Sequence, residues 1–290
     1  MIANSLLAQV SGLLLLMRPK QWVKNGFVLA PLLFAGAFAD ASAIFNSLSA
    51  AFLFCLASSA AYIVNDMRDV ELDRRHPRKS KTRPLVTGSV SVRSAFVLLV
   101  FLYVTLICGW LAFPRVGLVI GCYLALNLAY AFFLKHQPVL DIFTIAVSFV
   151  LRVYAGAMAI VAPVSGWMLI TTLCLALFLA AVKRRQELMQ SGAEGRSVLA
   201  KYAMSLIDRY AVMSSTCTLV FYGMFVLSAK PQLVITIPIV LFGMFRYWYV
   251  VVTLEGGESP TDVVLADRQM FVAILVWVCA CVLALWPTQG

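Results

Sequence analysis

Apolar residues in this chain come in long uncharged runs, not in the short alternations of strands or the one-sided stripes of surface helices. Clear runs cover 44–64, 94–114, 116–134, 142–162, 164–182, 210–229, 231–252 and 269–287. A hydrocarbon layer of about 30 Å needs about 20 helical residues, so each run can cross one. Another run, between Lys24 and Asp40, contains Pro31 and reaches crossing length only if taken as 22–43. Residues 6–17 are apolar but short, as for a helix lying in the interface. The pattern predicts an all-α polytopic membrane protein of nine transmembrane helices. It forms one domain over 1–290, with an interfacial N-terminal segment (1–24) and a charged loop at 65–93.

Composition removes the main competitors. The chain is 62% hydrophobic and 12% charged, with a mean hydropathy of +0.91, which leaves no room for a soluble domain. Its seven cysteines lie almost wholly inside apolar runs and lack metal-site spacing, and there are two histidines; neither a disulfide framework nor a zinc site is expected. The first apolar stretch has no basic lead-in and is followed by bases, so it is not read as a cleavable signal peptide.

A net charge of +10 would suggest nucleic acid in a soluble chain, but here the bases sit between the spans and no nucleic-acid partner is expected. Nine crossings put the intervening segments alternately on two sides. Of the 23 lysines and arginines, Arg115 and Lys230 fall opposite the N-terminus and Arg152 and Arg246 lie within spans; the rest share the N-terminal side. The positive-inside rule then places that side in the cytoplasm and the C-terminus outside a plasma membrane. Every acid except Asp40 is also on the basic side. Topology alone requires no acids, so this side is read as a working face.

The charge peaks in "AYIVNDMRDVELDRRHPRKSKTRPL", residues 61–85, where a span leaves the membrane. If its helix continues, Asn65, Asp69 and Asp73 share one face, with Asp66 at the edge. Carboxylates so placed repel one another unless a cation lies between them, and magnesium is commonly held by one or two carboxylates plus substrate phosphates. The competing reading is a solvated mixed-charge loop. The helical spacing at the membrane boundary favours a metal site of Asn65, Asp66, Asp69 and Asp73. Among the bases that follow, Lys81 and Arg83 can serve either substrate phosphate or lipid head groups.

"NDMRDVELD" (Asn65–Asp73), the nine spans and the trailing "KTRPL" resemble the UbiA-type intramembrane prenyltransferase superfamily. The resemblance implies a helical bundle around a central cavity, where Mg2+ holds a diphosphate and a long isoprenoid lies in a slot open to lipid. "MRPKQWVKN" (Met17–Asn25), "YAFFLKHQPVLD" (Tyr130–Asp141), "FVLRVYAG" (Phe149–Gly156), "VKRRQEL" (Val182–Leu188) and "GESPTDVVLADR" (Gly257–Arg268) are similar to its decaprenyl-phosphate phosphoribosyltransferase branch. That branch implies phosphoribosyl pyrophosphate as donor, a polyprenyl phosphate as acceptor, and a product that supplies pentose to cell-envelope glycans. Prenyl-transferring members usually carry a second aspartate-rich motif in the loop after the sixth span. Here 183–209 opens with Lys183, Arg184 and Arg185 and has no such motif.

The resemblance raises Lys20 and Lys24, four residues apart and expected on one helical face, from membrane anchors to phosphate contacts; Arg18 stays an anchor. It raises Tyr130 and Lys135 from interface residues to hydrogen-bond partners of substrate, and Lys183 and Arg184 from bases suiting a helix dipole to substrate contacts. Arg152, deep in a span, needs a partner or water; Asp141, three turns earlier, is a distant partner or a substrate ligand, and a structural ion pair is the alternative. Arg246 can snorkel. Asp262 and Asp267 are read as loop acids pairing with nearby bases, and His76 and His136 as interface residues. Two other functions compete with phosphoribosyl transfer. One is prenylation of an aromatic acceptor from a polyprenyl diphosphate; the other is lipid or solute transport, for which internal repeats and acids at the membrane midplane are missing. A homo-oligomer is compatible with all of these.

Overall fold

The computed structural model describes residues 2–75, 79–191, 198–253, 263 and 266–286, and all regular structure in them is helical. His76, Asp262 and most of "GESPTDVVLADR" lie outside the described residues. The chain opens with α1 (Ile2–Leu16), where an interfacial helix is expected. A 3-10 helix over Pro19–Leu29 leads into α2 (Ala30–Phe34) and then α3 (Ala41–Arg68). The charged loop holds α4 (Val70–Arg75), α5 (Lys79–Thr82) and α6 (Pro84–Thr87). Two hairpin-like pairs follow, α7 (Val92–Ala112) with α8 (Pro114–Phe132), and α9 (Leu140–Ala159) with α10 (Gly166–Ser191). The described chain ends with α11 (Met204–Ala229), α12 (Ile237–Thr253) and α13 (Arg268–Ala284).

Seven helical segments among the described residues are long and apolar enough to cross a membrane: α3, α7, α8, α9, α10, α11 and Pro231–Thr253, which contains α12. Helix α13 is apolar but shorter, at 17 residues. Prolines divide the spans as the sequence suggests, with Pro114 opening α8 and Pro231 following α11. Phe96, Val97, Phe101 and Leu111 of α7 point outward as a lipid-facing surface would, whereas α9 buries even Asp141 and Arg152.

The first expected span, 22–43, is not a continuous α-helix. Pro19, Gly26 and Pro31 weaken α-helical hydrogen bonding, and the stretch takes the tighter 3-10 form before α2. It runs antiparallel beside α3: Arg18 bonds Asp66, Trp22 Nε1 donates to Ser59 Oγ at 3.1 Å, and Asn25 Nδ2 donates to Ser58 Oγ at 3.2 Å. Its other side lies on α9, where a Cβ at Gly156 would come 1.9 Å from the Val28 carbonyl oxygen. Only glycine permits that approach.

Candidate active site

The acids gather where α3 turns into α4. Asp69 caps α3 with φ −93° and ψ 8°, so the axis changes direction there. Helical bonding nevertheless continues: the Asp69 amide donates to Asn65 O at 3.0 Å and the Asp73 amide to Asp69 O at 2.8 Å. Their partners sort the carboxylates differently from the single face expected. Asp66 and Asp73, two turns apart and both buried, share Arg83: its Nη1 lies 3.3 Å from Asp66 Oδ2 and its Nε 3.9 Å from Asp73 Oδ2. Asp69 turns instead to Lys135, which donates to both its oxygens at 2.7 and 2.8 Å. Asn65 is half-buried beside them.

Arg18 is not merely a membrane anchor. Its backbone is left-handed (φ 54°, ψ 60°), its guanidinium bonds Asp66, and its Cζ stands 4.5 Å from the Tyr62 ring centroid. Three bases, Arg18, Arg83 and Lys135, thus face three acids. Lys81 is exposed on α5. Lys20 and Lys24 do not share a face, because at about three residues per turn four positions are about 120° apart. Accordingly Lys20 is exposed and Lys24 half-buried. Tyr130 is half-buried near the end of α8.

A second cluster joins α9 to α10. Arg184 Nε lies 3.1 Å from Asp141 Oδ2, with both side chains only 1% exposed, and Arg184 also bonds Glu187. Lys183 stands 3.8 Å from Glu187. Helix α10 runs on to Ser191, so these bases sit on its final turns, not in a loop. Tyr202 donates to Asp141 Oδ1 at 2.7 Å. Burial raises the Tyr202 phenol well above its ordinary value, so it stays protonated. Burial, then the charges of Lys135 and Arg68, lowers His136, which stays neutral near pH 7.

Arg152 does not pair with Asp141. Its Nε donates to Asn25 Oδ1 at 2.8 Å, its Nη1 to Ser148 O at 2.8 Å and its Nη2 to the Tyr123 hydroxyl at 3.1 Å. Its Cζ lies 4.9 Å from the Tyr123 ring centroid and 5.1 Å from that of Phe149. Neutral oxygens and aromatic faces therefore hold a buried charge, the arrangement that makes an intramembrane arginine tolerable. Arg246 pairs with Asp267 at 2.7 and 3.1 Å, as expected for the loop acid.

Residues 28–275 match the UbiA prenyltransferase family model. The chain belongs to this family. It is 36% identical over 296 residues to the decaprenyl-phosphate phosphoribosyltransferase of Mycolicibacterium smegmatis, covering 93% of this chain and 91% of that protein. It is 38% identical over 294 residues to the enzyme of that name in Corynebacterium glutamicum, covering 95% and 87%. Its fold is similar to a solved UbiA homolog from Archaeoglobus fulgidus bound to GPP and Mg2+, with a TM-score of 0.75 and 17% identity over 96% of this chain and 100% of that one.

In this UbiA family member the charged clusters also include residues that sequence pattern did not single out. Arg18 looked topogenic because basic residues beside an apolar helix usually are. Asn25 left a signal, a lone amide at the edge of an apolar run, and it is 1% exposed as the partner of Arg152. Tyr123 and Tyr202 left none, since each meets its partner, Arg152 or Asp141, from far away in sequence, whereas Glu187 pairs with Lys183 and Arg184 one turn earlier on the same helix.

Proposed function

We propose that this chain transfers the 5-phosphoribosyl group of phosphoribosyl pyrophosphate to a polyprenyl phosphate, releasing pyrophosphate, at the cytoplasmic face of a plasma membrane. The observation that carries the reading is the balanced set of three carboxylates and three bases where α3 leaves the bundle. The names of the two relatives, matched over nearly their whole lengths, support the same reaction. The Archaeoglobus homolog is itself a magnesium complex.

The donor set fits magnesium in chemistry. Asp66, Asp69 and Asp73, with Asn65, offer only hard oxygens from one helix end. Among the described residues no three metal-binding side chains converge, because each carboxylate is drawn to a base. Asp66, Asp69 and Asp73 would hold the ion, which when bound neutralises the charge that develops on the departing pyrophosphate. Arg18, Arg83 and Lys135 would then turn to phosphate oxygens, so the site would keep its charge balance as a polyanion enters. The buried Arg184 and the adjacent Lys183 supply cations where prenyl-transferring members carry acids, which suits a site taking two phosphorylated substrates. The lipid phosphate is already anionic near neutral pH and attacks the ribosyl carbon without a dedicated base. Preorganised bases offset the repulsion between the two substrates.

The test uses protein in lipid with magnesium, labelled phosphoribosyl pyrophosphate and a polyprenyl monophosphate. Label should pass into the organic phase and should not do so with Asp69→Ala. Prenylation of an aromatic acid from a polyprenyl diphosphate, without ribosyl transfer, would overturn the reading.

A further inference from the structure

The linker between α8 and α9 joins the two charged clusters. At one end Lys135 holds Asp69; at the other Asp141 holds Arg184. Between them the backbone makes a γ-turn: the Leu140 amide donates to Pro138 O at 2.8 Å, with Val139 at φ 69° and ψ −49°. This hand of turn is rare and strained, and a β-branched residue is poorly suited to positive φ. Such a conformation persists only where its surroundings enforce it.

One side chain supplies that enforcement from outside the linker. The Tyr202 hydroxyl accepts from the Val139 amide at 2.6 Å and donates to Asp141 Oδ1 at 2.7 Å. Its neighbour Lys201 donates to His136 O at 3.3 Å. Both come from the connection between α10 and α11 and grip the linker four residues or fewer from Lys135. A phenol can accept and donate at once; phenylalanine can do neither.

We propose that Tyr202 is a positioning residue, which holds the strained linker so that Lys135 stays beside Asp69, placed to pass to an entering phosphate, and the acidic site is tied to the Asp141–Arg184 pair. The proposal rests on the acidic cluster being the diphosphate site. Its raised phenol fits the role, since the hydroxyl keeps its proton for Asp141.

The test measures calorimetric binding of magnesium pyrophosphate to protein in nanodiscs. Tyr202→Phe should weaken binding about tenfold, the effect of one hydrogen bond acting through the linker. In a Lys135→Met background the same change should have no further effect. Val139→Gly should restore most of the loss in Tyr202→Phe, because glycine accepts positive φ without an external hold. An unchanged affinity in Tyr202→Phe, an equal loss in the Lys135→Met background, or no rescue by Val139→Gly each overturns the proposal. If Tyr202→Phe alone does not fold, the Val139→Gly/Tyr202→Phe protein decides: near-native affinity supports it and the affinity of Lys135→Met overturns it. Ribosyl transfer by the wild type is measured alongside. A wild type that binds the probe but transfers nothing defeats the functional reading and leaves the coupling result standing. One that does not bind the probe defeats both.

Discussion

Lys135 places its ammonium between both oxygens of Asp69, 66 positions earlier in the chain, and is itself 9% exposed. Removing one member of this part-buried pair strands the other charge, at a cost below the about 3–5 kcal/mol of a fully buried pair, whereas replacing both with apolar residues is close to neutral. Lys135→Met and Asp69→Leu should each lower the unfolding midpoint in detergent, and the double variant should recover much of it. Transfer should fall at least about a hundredfold in all three, because the groups facing the developing charge are gone. Recovery of activity along with stability would show the pair to be structural only.

Arg152 depends on Asn25 for its Nε hydrogen bond. Asn25→Leu leaves that buried donor without a partner and should destabilise the protein by about 1–3 kcal/mol. Arg152→Lys keeps the charge but cannot reach Asn25, Ser148 and Tyr123 together, so it should be destabilised as well. Thermal unfolding of both variants checks this; a native midpoint for Arg152→Lys would refute it.

Gly156→Ala puts a methyl group 1.9 Å from the Val28 carbonyl oxygen. The neighbour is backbone, so the 3-10 segment must move away from α9 and carry Asn25 with it. Folded yield should drop sharply, and any folded fraction should show increased protease cleavage around Lys20 and Lys24. Gly26→Ala meets open space and is the matched control.

The Arg246–Asp267 pair should make stability depend on pH. Hydrogen bonds from Arg246 hold the Asp267 carboxyl below the usual carboxylate range, and the Met270 amide adds to this. A lowered folded-state value means the contribution is complete above the unfolded value of about 4 and disappears as pH falls through the folded one. The difference in unfolding midpoint between wild type and Asp267→Asn should therefore be largest near neutrality and shrink toward pH 3. A constant difference across that range would contradict the assignment.

Sequence pattern predicted the helices because lipid leaves the backbone few ways to satisfy its hydrogen bonds, so apolar runs of crossing length become helices. The acidic motif was legible for a related reason: Asp66, Asp69 and Asp73 are expensive at a membrane boundary and need a function. Their partners were not legible. Arg83 returns to Asp66 and Asp73 only through the fold of the charged loop, and Arg184 meets Asp141 only through the packing of α10 on α9. The shared face assigned to Lys20 and Lys24 failed because helical periodicity was taken as 3.6 where Pro19, Gly26 and Pro31 favour about 3.

That tighter winding also affects how the crossings are counted. Eleven 3-10 residues at about 2 Å each and the five of α2 at about 1.5 Å span about 30 Å, a full hydrocarbon thickness from sixteen residues. A tally of long apolar helices passes over such a stretch. Adding it to the seven long segments and α13 changes the total from even to odd. An even total would leave Pro19 and Ala284 in the same compartment and an odd one would separate them, so the compartment sensed by a reporter fused beyond α13 would tell whether these few residues of compact winding cross.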